Sequence, residues 1–230
     1  MGFVVTIDGP AASGKSSVSR ELARRLGWNW VSTGAFYRGL AYVAHEEGIE
    51  LSKEEALAQL TQSNIWSVVM EPERTEVYYQ GHTVTDEIAR DQVGQWASLI
   101  SRYQKVRSFL LKNQRDCSIK SVGLVAEGRD CGSVVFPNAP IKVYLTADQQ
   151  QRAARRAHDL GANITEMEAS QKARDHQDST RKSAPLQVPE KAWVIDTTHM
   201  TLAEVVGLIE VRIKNDLLNL QNNSKTSHEK

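Results

Sequence analysis

Gly9-Pro10-Ala11-Ala12-Ser13-Gly14-Lys15-Ser16 follows the apolar run Phe3-Val4-Val5-Thr6-Ile7 and leads directly into a helix-patterned stretch. This G-x-x-x-x-G-K-[ST] spacing constrains the chain more than any other feature, because it needs a strand, a tight loop and a helix in that order. The glycines let the backbone wrap on itself, so successive N–H groups converge at the positive end of the helix, where phosphate oxygens are held. Lys15 is then placed to reach β- and γ-phosphates, and the Ser16 hydroxyl to ligate Mg²⁺. The alternative is a glycine-rich turn carrying a chance lysine, which has no need of the strand, loop and helix together.

Beyond the loop, Val18, Leu22, Ala23 and Leu26 recur at helical spacing and Gly27 supplies the stop. Asn29-Trp30-Val31 reads as a short strand, 34–47 as a helix, and Ser52-Lys53-Glu54-Glu55 as a capping box opening another. The texture then changes: Trp66-Ser67-Val68-Val69-Met70 and Glu76-Val77-Tyr78-Tyr79 read as strands before a Gly81-His82 turn, a small β-containing insertion at about 63–92. Helical patterning returns over 91–113. Val122-Gly123-Leu124-Val125-Ala126, Ile141-Lys142-Val143-Tyr144-Leu145 and Ala192-Trp193-Val194-Ile195 are near-continuous apolar runs, as in parallel strands covered on both faces. Thr201-Leu202-Ala203-Glu204 is a second capping box, opening a final amphipathic helix to about 220. Residues 221–230 lack large apolar groups and are expected to form a disordered tail. Strands near 3, 29, 122, 141 and 193 alternating with helices predict an α/β fold with a doubly wound five-stranded parallel sheet in one domain spanning 1–220. The phosphate loop then lies at the carboxyl end of the first strand.

The 230 residues carry 28 Lys and Arg against 28 Asp and Glu, so no global field draws the chain to nucleic acid or an anionic membrane. Phosphate must be bound by locally placed cations. Cys117 and Cys131 have no C-x-x-C spacing, which indicates neither a zinc site nor a disulfide framework. With no signal-like apolar core and no apolar run near the roughly 18 residues of a membrane span, a cytoplasmic location is expected. No long coiled-coil pattern is present, and a monomer is expected.

A phosphate loop points to a nucleotide without saying whether its γ-phosphate is hydrolysed, transferred or sensed. No Asn-Lys-x-Asp guanine motif is present, and Asp91-Gln92-Val93-Gly94 matches D-x-x-G without a preceding apolar strand, which reads as chance. There is no G-x-S-x-G or H-E-x-x-H either. A phosphate acceptor needs neither, because its second pKa of about 6 leaves it an anion at neutral pH. The work left to the protein is positioning and charge neutralisation. Arg152, Arg155 and Arg156 share a helix face, as do Arg174 and Arg181, and Gly161 lies between the two segments. Either cluster alone also reads as a solvated helix face. Together they predict a hinged helical lid at about 148–182 that closes over phosphates and excludes water. Glu127-Gly128-Arg129-Asp130-Cys131-Gly132 sits at a strand's carboxyl end, where this sheet class binds ligands. Arg129 is suited to a phosphate and Asp130 to a donor on a base; an Arg–Asp pair shaping a turn is the alternative.

Thr33-Gly34-Ala35-Phe36-Tyr37-Arg38, Glu127-Gly128-Arg129-Asp130, Val134-Val135-Phe136-Pro137-Asn138-Ala139-Pro140, and Arg174-Asp175 with Asp178, Arg181 and Ala184-Pro185-Leu186 occur in this order. With the phosphate loop and Val194-Ile195-Asp196-Thr197-Thr198, they resemble bacterial-type cytidylate kinases from about residue 3 to 215. The resemblance implies transfer of the ATP γ-phosphoryl group to CMP or dCMP with Mg²⁺, and an insertion on the CMP side. It implies that 9–17 (through Ser17) hold the ATP phosphates with Arg155, and that Tyr37, Arg38 and Arg129 hold the CMP phosphate. Ser98, Arg107 and Asp130 fall at cytosine-reading positions, Arg174 and Asp178 at sugar contacts, and Arg181 at a further phosphate contact. Lys15, Arg129 and Arg181 are thereby the expected catalytic groups. Cytosine offers an amino donor beside ring acceptors, matching a carboxylate and an arginine, whereas uracil sets a carbonyl against Asp130. In a dry site that mismatch discriminates on the order of 10⁴-fold. Thr33 stands where the family usually has Ser, Gln177 at a lid position often filled by Arg, and Ala89-Arg90 shifts an insertion Arg by one residue. The rival readings are a kinase of this fold for UMP or shikimate, and a nucleotide-binding switch without turnover.

Overall fold

The computed structural model describes residues 2–71, 74–119 and 121–226. Strand β1 (Phe3–Asp8) runs into the phosphate loop and helix α1 (Lys15–Leu26), followed by β2 (Asn29–Ser32), α2 (Thr33–Glu46) and α3 (Glu54–Leu60). Three short strands, β3 (Trp66–Met70), β4 (Thr75–Tyr79) and β5 (His82–Thr83), precede α4 (Thr85–Ile88), α5 (Asp91–Ile100) and α6 (Gln104–Asp116). Strand β6 (Gly123–Gly128) ends in a π-helical turn over Cys131–Val135, and β7 (Ile141–Thr146) leads to α7 (Gln149–Leu160) and α8 (Ile164–Thr180). Strand β8 (Trp193–Asp196) and helix α9 (Leu202–Thr226) complete the described chain.

The main sheet has the order β2-β6-β1-β7-β8 with every pairing parallel. β1 is therefore central, and the chain winds outward from it in both directions, which opens a crevice at the carboxyl ends of β1 and its neighbours. Strand alternation assigns the two cores. Val5, Ile7 and Val125 pack with Val18 and Leu22 of α1 and Ile209 and Ile213 of α9, while Val4, Leu124 and Ala126 face Leu40 of α2 and Leu110 of α6. Each fully buried Val, Leu or Ile among them contributes roughly 1.5–3 kcal/mol. The second sheet, β3-β4-β5, is antiparallel and packs on α2 through Trp66 and Val77, with Trp66 Nε1 donating to the Leu60 carbonyl at 2.8 Å.

Several sequence expectations need adjustment. The helix expected over 91–113 is two helices broken at 101–103, because Tyr103 turns extended to start α6. The capping box at Ser52 does not form: Lys53 is the cap, and the Ser52 hydroxyl donates to Glu50 Oε2 at 3.2 Å. By contrast, Thr201 and Glu204 exchange both bonds, Thr201 N–H to Glu204 Oε2 at 2.8 Å and Glu204 N–H to Thr201 Oγ1 at 3.3 Å. β8 is an edge strand rather than one covered on both faces, and Val194 is half exposed. The strand predicted from Val122 starts at Gly123 and continues through Gly128, with Val122 left in solvent. The hairpin turn is Gln80-Gly81, both at positive φ (49° and 81°), not Gly81-His82. Helix α9 runs to Thr226, past the predicted end near 220, so the tail expected from 221 is helical backbone to that point; 227–230 lie outside the described residues. Among the described residues no helix is long and apolar enough to cross a membrane.

Candidate active site

The loop after β1 adopts the backbone its sequence demands. Gly9 has φ 149° and a Cβ there would stand 2.1 Å from the Leu145 carbonyl oxygen, while Gly14, at φ 89°, caps α1. Ala11, Ala12, Gly14, Lys15, Ser16 and Ser17 line a cavity of about 460 Å³, and Arg155 reaches its wall from α7. Gly9, Pro10 and Ser13 build the loop from behind: Lys15 Nζ donates to the Pro10 carbonyl at 2.6 Å and to Ser13 Oγ at 3.4 Å, and Gly9 offers its carbonyl to Arg129 Nη1 at 2.8 Å. Ser16 Oγ donates to Glu127 Oε1 at 3.1 Å.

A second, smaller cavity of about 80 Å³ adjoins the first. Thr33, Tyr37 and Arg38 of α2 and Ser98 of α5 form one side; Arg129, Asp130, Arg174, Asp178 and Arg181 form the other. Arg38, Arg129 and Arg174 line both cavities. Arg107, expected at the base-reading position, is not on the wall. It is buried behind Asp130, to whose carboxylate Nη2 donates, and lies over the Tyr37 ring at 5.6 Å. The Thr33 hydroxyl donates to the Glu127 carbonyl at 2.9 Å.

The chain is similar to known proteins over nearly its whole length. A cytidylate kinase family profile matches residues 5–215. The chain belongs to the cytidylate kinase family. A cytidylate kinase of Bdellovibrio bacteriovorus is 58% identical over 217 residues, covering 94% of this chain and 100% of its own. One from Azotobacter vinelandii is 42% identical, covering 90% and 93%. A gluconokinase from Sinorhizobium meliloti, 17% identical with a TM-score of 0.52 over 97% of both chains, shares the fold.

In this cytidylate kinase family member the two cavities are crowded with like charge. Burial, then Arg174 and Arg156, push the Arg38 pKa down to about 9; burial, then Arg129, push that of Arg174 down to about 10. Burial and the Arg129 charge likewise bring Lys15 down to about 7. The carboxylates nearby answer only part of this charge. Arg129 pairs with Asp178 at 2.9 Å, but Arg181 stands 3.8 Å from both Asp178 and Asp130. Arg174 Nε and Arg181 Nη2 are buried and make no hydrogen bond.

The lid expectation gains detail that no local pattern carried. Helices α7 and α8 form a hairpin that turns at Gly161, φ 61°. The Ala11 N–H of the phosphate loop donates to Asp175 Oδ1 at 3.0 Å, and the Ala11 carbonyl accepts from Arg152 Nη1 at 2.9 Å, so the hairpin grips one loop residue from both sides. Arg152, grouped by spacing with Arg155 and Arg156, is this latch and not part of the larger cavity's wall; Arg156 is on that wall. Gln177 is exposed and lines neither cavity, so its departure from Arg leaves the cation cluster intact. Glu127, Asp175, Gly94 and Ser101 are site residues that the sequence reading gave no role. Gly94 had a visible signal, the D-x-x-G match, but its reason is different: a Cβ there would stand 2.6 Å from Arg38 Nη2.

Proposed function

We propose that the chain transfers the γ-phosphoryl group of ATP to CMP or dCMP, releasing ADP and CDP or dCDP. The observation that carries this reading is the wall of Arg38, Arg129 and Arg174 shared by the two cavities. A phosphoryl group passing from one side to the other would stay beside the same guanidinium groups, which is where transition-state charge must be met. Lys15 serves the β- and γ-phosphates at the loop, with Arg155 on the donor side. No general base is required, since the acceptor phosphate is already ionised.

Mg²⁺ fits the residues present, because the Ser16 hydroxyl and the Glu127 carboxylate are hard oxygen donors and Mg²⁺ takes one or two carboxylates with substrate phosphates. Bound there, it would neutralise charge on the phosphates. On the acceptor side, Arg38, Arg129 and Arg181 are assigned to the phosphate, and Arg174 and Asp178 to the sugar. Asp130 takes the cytosine amino group, with Ser98 beside it on the wall and Arg107 holding the Asp130 carboxylate from behind. Ligand pockets are typically at least about 300 Å³, so the acceptor cavity of about 80 Å³ has to widen, and the α7–α8 hairpin is the element that moves. Zero net formal charge suits a cytoplasmic enzyme whose partners are small nucleotides, not nucleic acid or membrane.

Coupled ADP release measured with ATP and, in turn, CMP, dCMP, UMP, AMP and shikimate tests the assignment. CMP and dCMP should turn over best. Turnover of UMP equal to or better than CMP defeats the base-reading role of Asp130.

A further inference from the structure

Asp8 lies at the last position of β1, has no exposed surface, and has no role in the transfer described above. Its Oδ1 accepts the Cys131 N–H at 2.7 Å and its Oδ2 accepts the Gly132 N–H at 2.7 Å, 123 and 124 residues away in sequence. Those are the first two N–H groups of the π-helical turn, which a helix of any kind leaves without internal partners. Two N–H groups bonded to the two oxygens of one side chain define direction as well as distance. Immediately before the turn stand Arg129 and Asp130. Immediately after Asp8 stands Gly9, whose carbonyl accepts from Arg129 Nη1 at 2.8 Å and whose Cα is pressed against the Leu145 carbonyl. The dipeptide at 8–9 thus holds the turn by its backbone and the Arg129 side chain at once.

We infer that Asp8 is a positioning residue for the acceptor subsite, fixing the turn that presents Arg129 and Asp130 relative to the phosphate loop. The inference rests on the proposed reading that Asp130 recognises cytosine. It assigns the donor and acceptor halves a common anchor at the centre of the sheet, because the same strand end that starts the phosphate loop sets the height of the base-reading turn. The joint is tight: a Cβ on Gly132 would meet only side-chain atoms, Thr6 Oγ1 at 2.8 Å, Pro189 Cγ at 3.1 Å and Asp8 Oδ2 at 3.2 Å, and so would push on Asp8. Asp8 itself touches neither cavity, so it acts only through the residues it holds.

The test is steady-state kinetics of Asp8→Asn, Gly132→Ala and Asp130→Asn with CMP, UMP and ATP varied separately. Asparagine keeps the shape of Asp8 but turns one acceptor into a donor facing an N–H group. The KM for CMP should rise about tenfold and the CMP-to-UMP ratio of kcat/KM fall about tenfold, while the KM for ATP stays within about threefold. Gly132→Ala, which crowds the same carboxylate without removing it, should move the ratio in the same direction, and it decides the matter if Asp8→Asn does not fold by circular dichroism. A role in stability alone would lower Tm and leave the ratio unchanged. A ratio that shifts in Asp130→Asn but in neither other variant overturns the inference and leaves the base-reading assignment standing. A ratio unmoved by Asp130→Asn overturns the assignment, and the positioning role with it.

Discussion

Ser16 Oγ donates to Glu127 Oε1 across 3.1 Å, joining the first turn of α1 to the strand that carries the Gly-Arg-Asp turn. A hydroxyl and a buried carboxylate so paired, beside a cavity ringed by cations, are the two hard oxygen donors to which the proposed Mg²⁺ is assigned, with substrate phosphates and water to complete its shell. Glu127→Gln keeps the shape and removes the charge. Its kcat should fall about 100-fold, and the Mg²⁺ concentration for half-maximal rate should rise about tenfold. The check is kcat titrated against MgCl₂; a curve superimposable on wild type would take Glu127 off the metal side.

Lys15 is held by the Pro10 carbonyl at 2.6 Å in a position that phosphate oxygens would take over. Removing it subtracts charge that matters most in the transition state, so Lys15→Ala should lower kcat by at least about two orders of magnitude. Saturating assays at fixed acceptor decide this, and activity within threefold of wild type overturns the role.

Gly94 lets α5 approach the arginine wall. In Gly94→Ala the new Cβ would sit 2.6 Å from Arg38 Nη2 and 3.1 Å from Arg174 Cζ, the far ends of flexible side chains, so the arginines move and the fold does not. Displacing them should raise the KM for CMP about tenfold and leave the KM for ATP within about twofold. Equal changes in both constants would show that the glycine serves general packing.

Asp8 also predicts a pH dependence of stability in the nucleotide-free protein. Burial pushes its carboxyl up from the ordinary 3.8 to about 7, against the pull of the Gly132 and Cys131 N–H groups, with Asp130 adding to the rise and Lys15 opposing it. The folded state therefore keeps a proton that the unfolded chain has released. That contribution to stability is fully present below 3.8 and is lost as pH rises through 7. The Tm of wild type relative to Asp8→Asn should accordingly decline from pH 4 to pH 7, by thermal unfolding at matched ionic strength. A difference constant with pH contradicts the burial effect.

What the sequence made legible was whatever depends on local pattern. The five sheet strands announce themselves by apolar runs, the loop by its glycines and Lys15, and α9 by the Thr201–Glu204 capping box. The break at 101–103 was invisible because apolar residues continue at near-helical spacing across it, with no Gly or Pro to mark it. At the site, position in a motif placed Arg38, Arg129 and Asp130 on one cavity, but orientation is a tertiary matter. Arg107 turned behind Asp130, and Arg152 turned to Ala11 instead of following Arg155. Asp8 gave no signal and Asp175 stood in the Arg174-Asp175 segment without a role, since a lone acid has no local signature of what it binds and their partners, Cys131 and Ala11, are brought to them only by the sheet and the α7–α8 hairpin.

The proposed reaction turns on the path of one phosphoryl group between two nucleotides. Incubating the enzyme and Mg²⁺ with ATP labelled at the γ-phosphate and unlabelled CMP, then separating the products, follows that path directly. The label should appear in the β-phosphate of CDP at the rate ADP forms, with little free phosphate. Label released as inorganic phosphate, or retained in ATP while CMP is present, would contradict the two-nucleotide site.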